Sequence, residues 1–266
     1  IQRLSQSRTK VFQKDLGEAQ MAVTSRESFI AMVSNALGHR GDLKRPQYPR
    51  LKIRREIQRQ KAVTIEARAQ ARRAELTEKL AETALNAGWK VFANAEPSTA
   101  SDYISNIVKE KGAGLIVRST HKVLNDLRVD HFLSEMGVTS TIVTVKQQSP
   151  REQLIKKMSQ AQIGITGVDY AIAETGTCVL VPRKGVSRLV SLLPPVHIAV
   201  VEEDQIYENL DDLFALRRLE FMQNRSNMGS YLSLITGPSR TADIEQTLVT
   251  GVHGPVEVHM IILKSY

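Results

Sequence analysis

The sequence predicts an α/β fold: a mostly parallel β-sheet covered by helices, with a helical extension at its amino end. Three observations point there. From Trp89 onward, short apolar runs of strand length alternate with amphipathic runs of helix length, joined by short connections, which is the pattern of a parallel, doubly covered sheet. Before Trp89 the chain is polar, basic and helical in pattern. No repeat of 20–50 residues recurs, so a solenoid or propeller is not expected.

Taken in order, Ser25–Leu37 reads as an amphipathic helix. Ser25 is placed to cap it, Glu27 lies in its first turn, and Phe29, Ile30, Val33 and Leu37 recur at helical spacing before Gly38. A linker with two glycines and two prolines runs from Gly38 to Pro49. One long helix is predicted from Leu51 to Asn86, rich in Ala, Arg, Gln and Glu and closed by Gly88. Strands are then predicted at Trp89–Asn94, Gly114–Ser119, Thr139–Val145 and Gln162–Thr166, with helices at Ser101–Lys111, Asn125–Met136 and Arg151–Ser159 between them. Later strands fall at Cys178–Pro182, His197–Val201, Ser233–Thr236 and Val258–Leu263. Short helices are expected at Tyr170–Glu174, capped by Asp169, and after Ser239 and Thr241. The organisation implied is an arm and basic linker over residues 1–49 and an α/β domain over 50–266.

Charge is unevenly spread. Residues 1–75 hold 17 Lys and Arg against 7 Asp and Glu, whereas the remainder holds 19 against 21. The domain itself therefore lacks the balance of a nucleic-acid binder, and no aromatic residues interleave the basic run Arg50–Arg73. A solvated helix accounts for those charges, with an acidic partner or nucleic acid meeting the arm as the alternative. The arm is expected to pack loosely or to reach a neighbouring subunit, which leaves a homo-oligomer open. No apolar stretch approaches the ~18 residues of a membrane span. The single cysteine, Cys178, excludes an internal disulfide and fits a reducing, cytoplasmic compartment. The first residue is Ile, so a start further upstream stays open, and the Arg-rich beginning has no apolar signal core.

The residues able to carry chemistry gather in loops. Ligands of open α/β sheets bind beyond the carboxyl ends of strands, and two Ile-Thr-Gly turns are predicted there, at Ile165–Gly167 and Ile235–Gly237. They are either a pseudo-repeat or a chance match. Thr166, Gly167 and Asp169 follow the first strand, and Glu174, Thr175, Gly176 and Thr177 follow closely. Glu174 beside hydroxyls and a glycine suits an acid, base or nucleophile, or a structural carboxylate. Ser191 suits a donor to substrate oxygen or a turn cap. His197 reads as a hydrogen-bonded core residue on the Ala199 and Val201 face of its strand, with a catalytic histidine as the alternative, and Pro194–Pro195 as a candidate cis bond. In Gly237-Pro238-Ser239-Arg240-Thr241, the hydroxyls can cap a helix while the Arg240 fork can take a carboxylate. Asp243 and Glu245 would compete with that anion. His253, between two glycines, is the histidine expected to be exposed and titratable. The histidines form no metal-binding spacing, and no nucleotide-binding glycine motif is present, so no cofactor is expected.

The blocks IGITGVDYAIAETGTCVLVPRKGVSRLVSLLPPVHIAVV (Ile163–Val201) and LITGPSRTADIEQTLVTGVHGP (Leu234–Pro255) resemble the lactate-utilisation (LUD) domain family, most closely its C-type subunit, over roughly residues 75–264. The resemblance implies a sugar-phosphate isomerase or CoA-transferase-like fold and a place in a system that oxidises L-lactate to pyruvate. It also implies iron–sulfur partner subunits, since the family's B-type subunit carries Cys-rich cluster motifs. One cysteine cannot hold a four-Cys cluster, which favours the C type. Three functions follow as alternatives. The first is a cluster-free component that binds a small carboxylate or assists assembly. The second is a stand-alone isomerase, transferase or cyclo-ligase using Glu174 and His253 on a phosphorylated or acyl substrate. The third is a partner-binding protein docked by its basic arm. For the first two, both Ile-Thr-Gly turns and the Gly251–Pro255 loop are expected to meet in one cleft.

Overall fold

The structure is a computed structural model that describes residues 25–38, 53–143, 151–224, 229, 231–242 and 248–265. The chain divides into two compact units, Ile1–Lys52 and Ile53–Tyr266. In the first, helix α1 (Arg26–Ala36) starts at Ser25, whose hydroxyl accepts the Ser28 N–H at 3.2 Å, and stops before Gly38 at φ 73°. Phe29, Ile30, Val33 and Leu37 are all exposed. The expected linker from residue 39 to 49 lies outside the described residues.

In the second unit, in chain order, are α2 (Arg55–Ala71), α3 (Arg73–Ala87), β1 (Lys90–Ala95), α4 (Pro97–Glu110), β2 (Leu115–Arg118), α5 (Lys122–Asp126), α6 (Val129–Glu135), β3 (Thr139–Ile142), α7 (Arg151–Ser159) and β4 (Ile163–Gly167). There follow β5 (Tyr170–Ile172), β6 (Thr177–Leu180), α8 (Leu189–Leu192), β7 (Val196–Glu202), β8 (Ile206–Tyr207), α9 (Leu210–Gln223), β9 (Ser233–Ile235), β10 (Arg240–Ala242), β11 (Leu248–Thr250) and β12 (Glu257–Leu263). Six strands form one sheet in the order β1-β12-β7-β4-β2-β3, with every pair parallel. The α/β class read from the sequence is therefore the class of the fold.

Strand alternation assigns the two faces. Val196, Ile198 and Val200 of β7 join Ile104 and Ile107 of α4, Leu124 of α5 and Leu133 of α6 in one core. Ala199 and Val201, with Val258, Met260 and Ile262 of β12, face the other way onto Leu76, Leu80 and Ala84 of α3. Each large aliphatic side chain buried this way is worth roughly 1.5–3 kcal/mol, so both faces must be covered for the strands to be stable. A second, four-stranded sheet, β8-β5-β6-β9, shares the α3 side through Ala171 and Cys178.

Four local expectations are corrected. The single helix from 51 to 86 is two helices, broken at Arg72 (φ −108°, ψ 19°). The break gives each half its own partner: Gln58 of α2 donates to the Ala215 carbonyl of α9 at 2.7 Å, whereas α3 packs on the sheets. The helix from 125 to 136 is two short ones, because Arg128 takes φ 50° between them. Residues 170–174 form no helix: Tyr170–Ile172 pairs antiparallel with β6 and parallel with β8. Thr241, expected to cap a helix, lies in a strand instead, since Arg240–Ala242 pairs antiparallel with Leu248–Thr250, and residues 243–247 lie outside the described residues. The pairing partner, unseen by local pattern, outweighed helical spacing in both segments. The Pro194–Pro195 bond is trans.

Gly176 is needed where the turn after β5 meets α3. Its φ is 64°, and a Cβ there would lie 2.5 Å from the Ala84 backbone nitrogen. Thr83 Oγ1 donates to the Ala173 carbonyl at 2.7 Å in the same contact.

The amino end of the main sheet is fixed by Glu257. Its carboxylate accepts from Lys90 Nζ and Lys111 Nζ, both at 2.7 Å, and from His259 Nε2 at 2.8 Å. His259 Nδ1 then accepts from Tyr103 at 2.9 Å, which makes the ring neutral. Burial pushes the Glu257 carboxyl up, but the hydrogen bonds from Lys111, Lys90 and His259 outweigh it and hold it at about 2. A depressed carboxylate stabilises the fold above its unfolded value and loses that contribution as pH falls through its folded value. Stability should therefore drop by about 1–3 kcal/mol, discounted for solvent screening, between pH 4.5 and about 2. Urea melts across that window should show Glu257→Gln with a flatter acid limb than wild type.

Candidate functional site

The predicted site residues fall into two groups on different ends of the main sheet. Parallel pairing sets the Ile163 end of β4 beside Val196 and the Gly167 end beside Val200. Val256 and Glu257 both donate to the Pro195 carbonyl, and Ser239 N–H donates to the Pro255 carbonyl at 2.9 Å. The second Ile-Thr-Gly turn, the Ser239 loop and the Gly251–Pro255 loop thus belong to the amino end, and the first turn to the carboxyl end. The single cleft expected from the sequence is two places. The two turns are also not a pseudo-repeat, because one ends a main-sheet strand and the other follows β9 of the smaller sheet.

At the carboxyl end, Gly167 lies directly against His121: a Cβ there would meet the His121 Cβ at 2.4 Å. His121 Nδ1 is 2.6 Å from Ser119 Oγ, and its Nε2 is 3.5 Å from Asp169 Oδ2, a long contact. Asp169 caps no helix. It accepts the Val181 N–H and Arg183 Nη1, each at 2.6 Å, and ties the end of β6 to the loop that follows. Burial raises the Asp169 carboxyl, yet contacts from His121, Val181 and Arg183 outweigh that and hold it below the ordinary carboxylate range. Ser119, His121 and Asp169 do not form an acyl-transfer triad. Ser119 is fully buried, and a nucleophile must reach its substrate. The cluster is internally satisfied and works as a strut.

Thr166 is buried and pairs with His197 Nε2 at 2.9 Å. Burial pushes His197 down to about 3, so it is a neutral core residue. Ser191 is buried and donates to the Arg188 carbonyl at 2.9 Å, as a turn cap does.

The amino-end group forms a strip along the last turns of α3. Gly176 lies over Thr83 and Ala84, Gly237 over the Ala87 carbonyl, and the Arg240 guanidinium over Gly88, where a Cβ would sit 2.3 Å from Nη2. Hydroxyls connect the strip: Thr175 to Thr177, and Thr177 to Thr236, each at 2.7 Å. Ser239 Oγ accepts the His253 N–H at 3.3 Å. Glu174, Thr175, Arg240 and His253 are exposed, and Thr241 is half-buried in β10. Asp243 and Glu245 lie outside the described residues.

A model of the LUD domain matches residues 77–263 of the chain. The chain belongs to the LUD domain family. It is 35% identical over 166 residues to "Lactate utilization protein C" of Halalkalibacterium halodurans, covering 61% of this chain and 68% of that protein. It is 28% identical over 238 residues to "Lactate utilization protein B" of Bacillus velezensis, covering 71% of this chain and 48% of that protein. A crystal structure of a DUF162 family protein from Deinococcus radiodurans superposes with a TM-score of 0.49 at 21% identity, over 72% of this chain and 98% of that one.

Within this LUD domain, sequence reasoning passed over Ser119, His121 and Arg183. The signal was present: Ser119 ends a predicted strand and His121 follows it, where the carboxyl-end rule already looks for polar groups. Among the described residues, no group of three or more His, Cys, Asp or Glu is placed to hold a metal ion. No helix of the described residues is long and apolar enough to cross a membrane. Asp169→Asn keeps the side-chain shape but removes the charge facing Arg183 and Val181. It should cost about 1–3 kcal/mol, read as a lower urea midpoint, with faster tryptic cleavage at Arg183 and Lys184. An unchanged midpoint would mean that solvent already neutralises the pair.

Proposed function

We propose that this chain works in L-lactate utilisation as the cluster-free companion of an iron–sulfur subunit, and that it holds a small 2-hydroxy or 2-oxo acid at the Ser239–Arg240 loop. Similarity to proteins named lactate utilization protein C and B supports the first part. With one cysteine, Cys178, itself buried, the chain needs a partner for one-electron chemistry through a cluster. Co-expression with a B-type subunit tests this: the cluster absorbance should follow the partner, and the two proteins should co-purify.

The placement of Arg240 carries the ligand reading. Its guanidinium lies against the left-handed Gly88 that ends α3. A cation at a helix carboxyl end is favoured by about 0.3–1 kcal/mol, which holds the fork in place while leaving donors for a ligand. Among the described residues no carboxylate pairs with it. Ser239 and Thr241 flank it with hydroxyls, and His253 hangs from Ser239. The Asp169 cluster offers less, because its donors and acceptors already serve each other. A catalytic use of Glu174 and His253 is the second reading, favoured by their exposure along the same helix end.

Arg240→Lys keeps the charge and loses the bidentate fork, so calorimetric titration with lactate and pyruvate should show affinity about tenfold weaker than wild type. Equal affinities in the two proteins would remove the clamp and leave Arg240 as a helix-end cation. Should Glu174→Gln abolish turnover of a phosphorylated or acyl substrate while lactate binds neither protein, the enzyme reading takes its place.

A further inference from the structure

A cavity of about 430 Å3 opens beside the carboxyl ends of β2 and β3, away from the Arg240 loop. Val143, the first residue past β3, lines it with Met158 of α7 and Leu189 of α8, so its wall is apolar. The loop carrying its mouth is pinned to the end of β2, since Thr120 N–H donates to the Gly185 carbonyl at 3.0 Å. That mouth carries three cations, Arg183, Lys184 and Arg188, all exposed. Arg183 is committed to Asp169. Lys184 and Arg188 are paired with no carboxylate among the described residues, and the Arg188 guanidinium lies 5.1 Å from the centre of the Tyr231 ring. The ring orients this cation without neutralising it.

Lactate is a poor match for this space. It has almost no apolar surface to set against Met158 and Leu189, and it would leave most of the volume unfilled. The size lies within the roughly 300–1,000 Å3 of ordinary small-molecule sites, which are mostly apolar with a few oriented polar groups. We propose that this cavity binds an amphipathic organic acid, with its carboxylate between Lys184 and Arg188 and an aliphatic or ring-sized body against Met158 and Leu189. This site is independent of the lactate clamp: Arg240 contributes nothing to it.

The test uses the full chain and the fluorescent anion 8-anilinonaphthalene-1-sulfonate, displaced by butanoate, hexanoate, octanoate and 1-octanol. Displacement should strengthen about threefold to fourfold per added methylene, and octanol should be about tenfold weaker than octanoate. Replacing both Lys184 and Arg188 by Gln alters exposed residues only, so the thermal melt should be unchanged. It should erase the preference for octanoate over octanol and spare octanol itself. Arg240→Lys should leave the whole series as in wild type, which separates this site from the clamp. The proposal is overturned if octanol matches octanoate in wild type, if butanoate or lactate displaces the probe as well as octanoate, or if the double variant keeps the preference. Absence of probe displacement by any of the acids overturns it equally.

Discussion

The fold depends on a single insertion: β12, the last strand among the described residues, enters the main sheet between β1, the first of them, and β7. Its register with β7 is continuous over seven pairs, from Glu257 beside Val196 to Leu263 beside Glu202. Until those residues arrive, β1 has no neighbour in the sheet, and Val258, Met260 and Ile262 leave the α3 face uncovered. Parallel pairing between such distant segments carries a large loop-closure entropy, which the apolar burial on both faces must offset. Glu257 locks the insertion at its entrance through lysines from β1 and the end of α4.

That insertion also decides where the loops go. Pro195 accepts the amides of Val256 and Glu257, so the chain preceding β12 is held at the amino end of the sheet. Ser239 reaches Pro255, and the second Ile-Thr-Gly turn follows it down onto α3. The first turn is carried by β4 to the opposite end, where Gly167 admits His121. Two similar tripeptides are thereby drawn into unlike environments, one among satisfied, buried groups and one beside exposed hydroxyls and a guanidinium.

The difference between those environments matters more than the residue types they contain. A Ser, a His and an Asp close together suggest chemistry on paper. Here Ser119 is fully buried, and Asp169 is occupied by a backbone amide and Arg183. Such a network rigidifies the ends of β2 and β6 rather than meeting a substrate. Exposed cations held by weak, orienting contacts are the opposite case. Arg240 on a helix end and Arg188 over a tyrosine ring keep hydrogen-bond capacity that a ligand can use.

By itself, the sequence determined the alternation of strands and helices from Trp89 onward, because both periodicities are local and each buried face needs its own apolar set. It likewise determined the helix ends at Gly38 and Gly88, and it favoured a core role for His197 over a catalytic one, since the surrounding run is mostly apolar. The LUD family was legible too, since its two long blocks are sequence patterns in their own right. Only the tertiary structure decided that Tyr170–Ile172 and Arg240–Ala242 are strands, because a short segment follows whichever neighbour offers it hydrogen bonds. Only it separated Asp169 from Arg240 and brought His121 and Arg183 to Asp169. Proximity across 14 to 48 residues depends on strand order and register, and no local pattern encodes those.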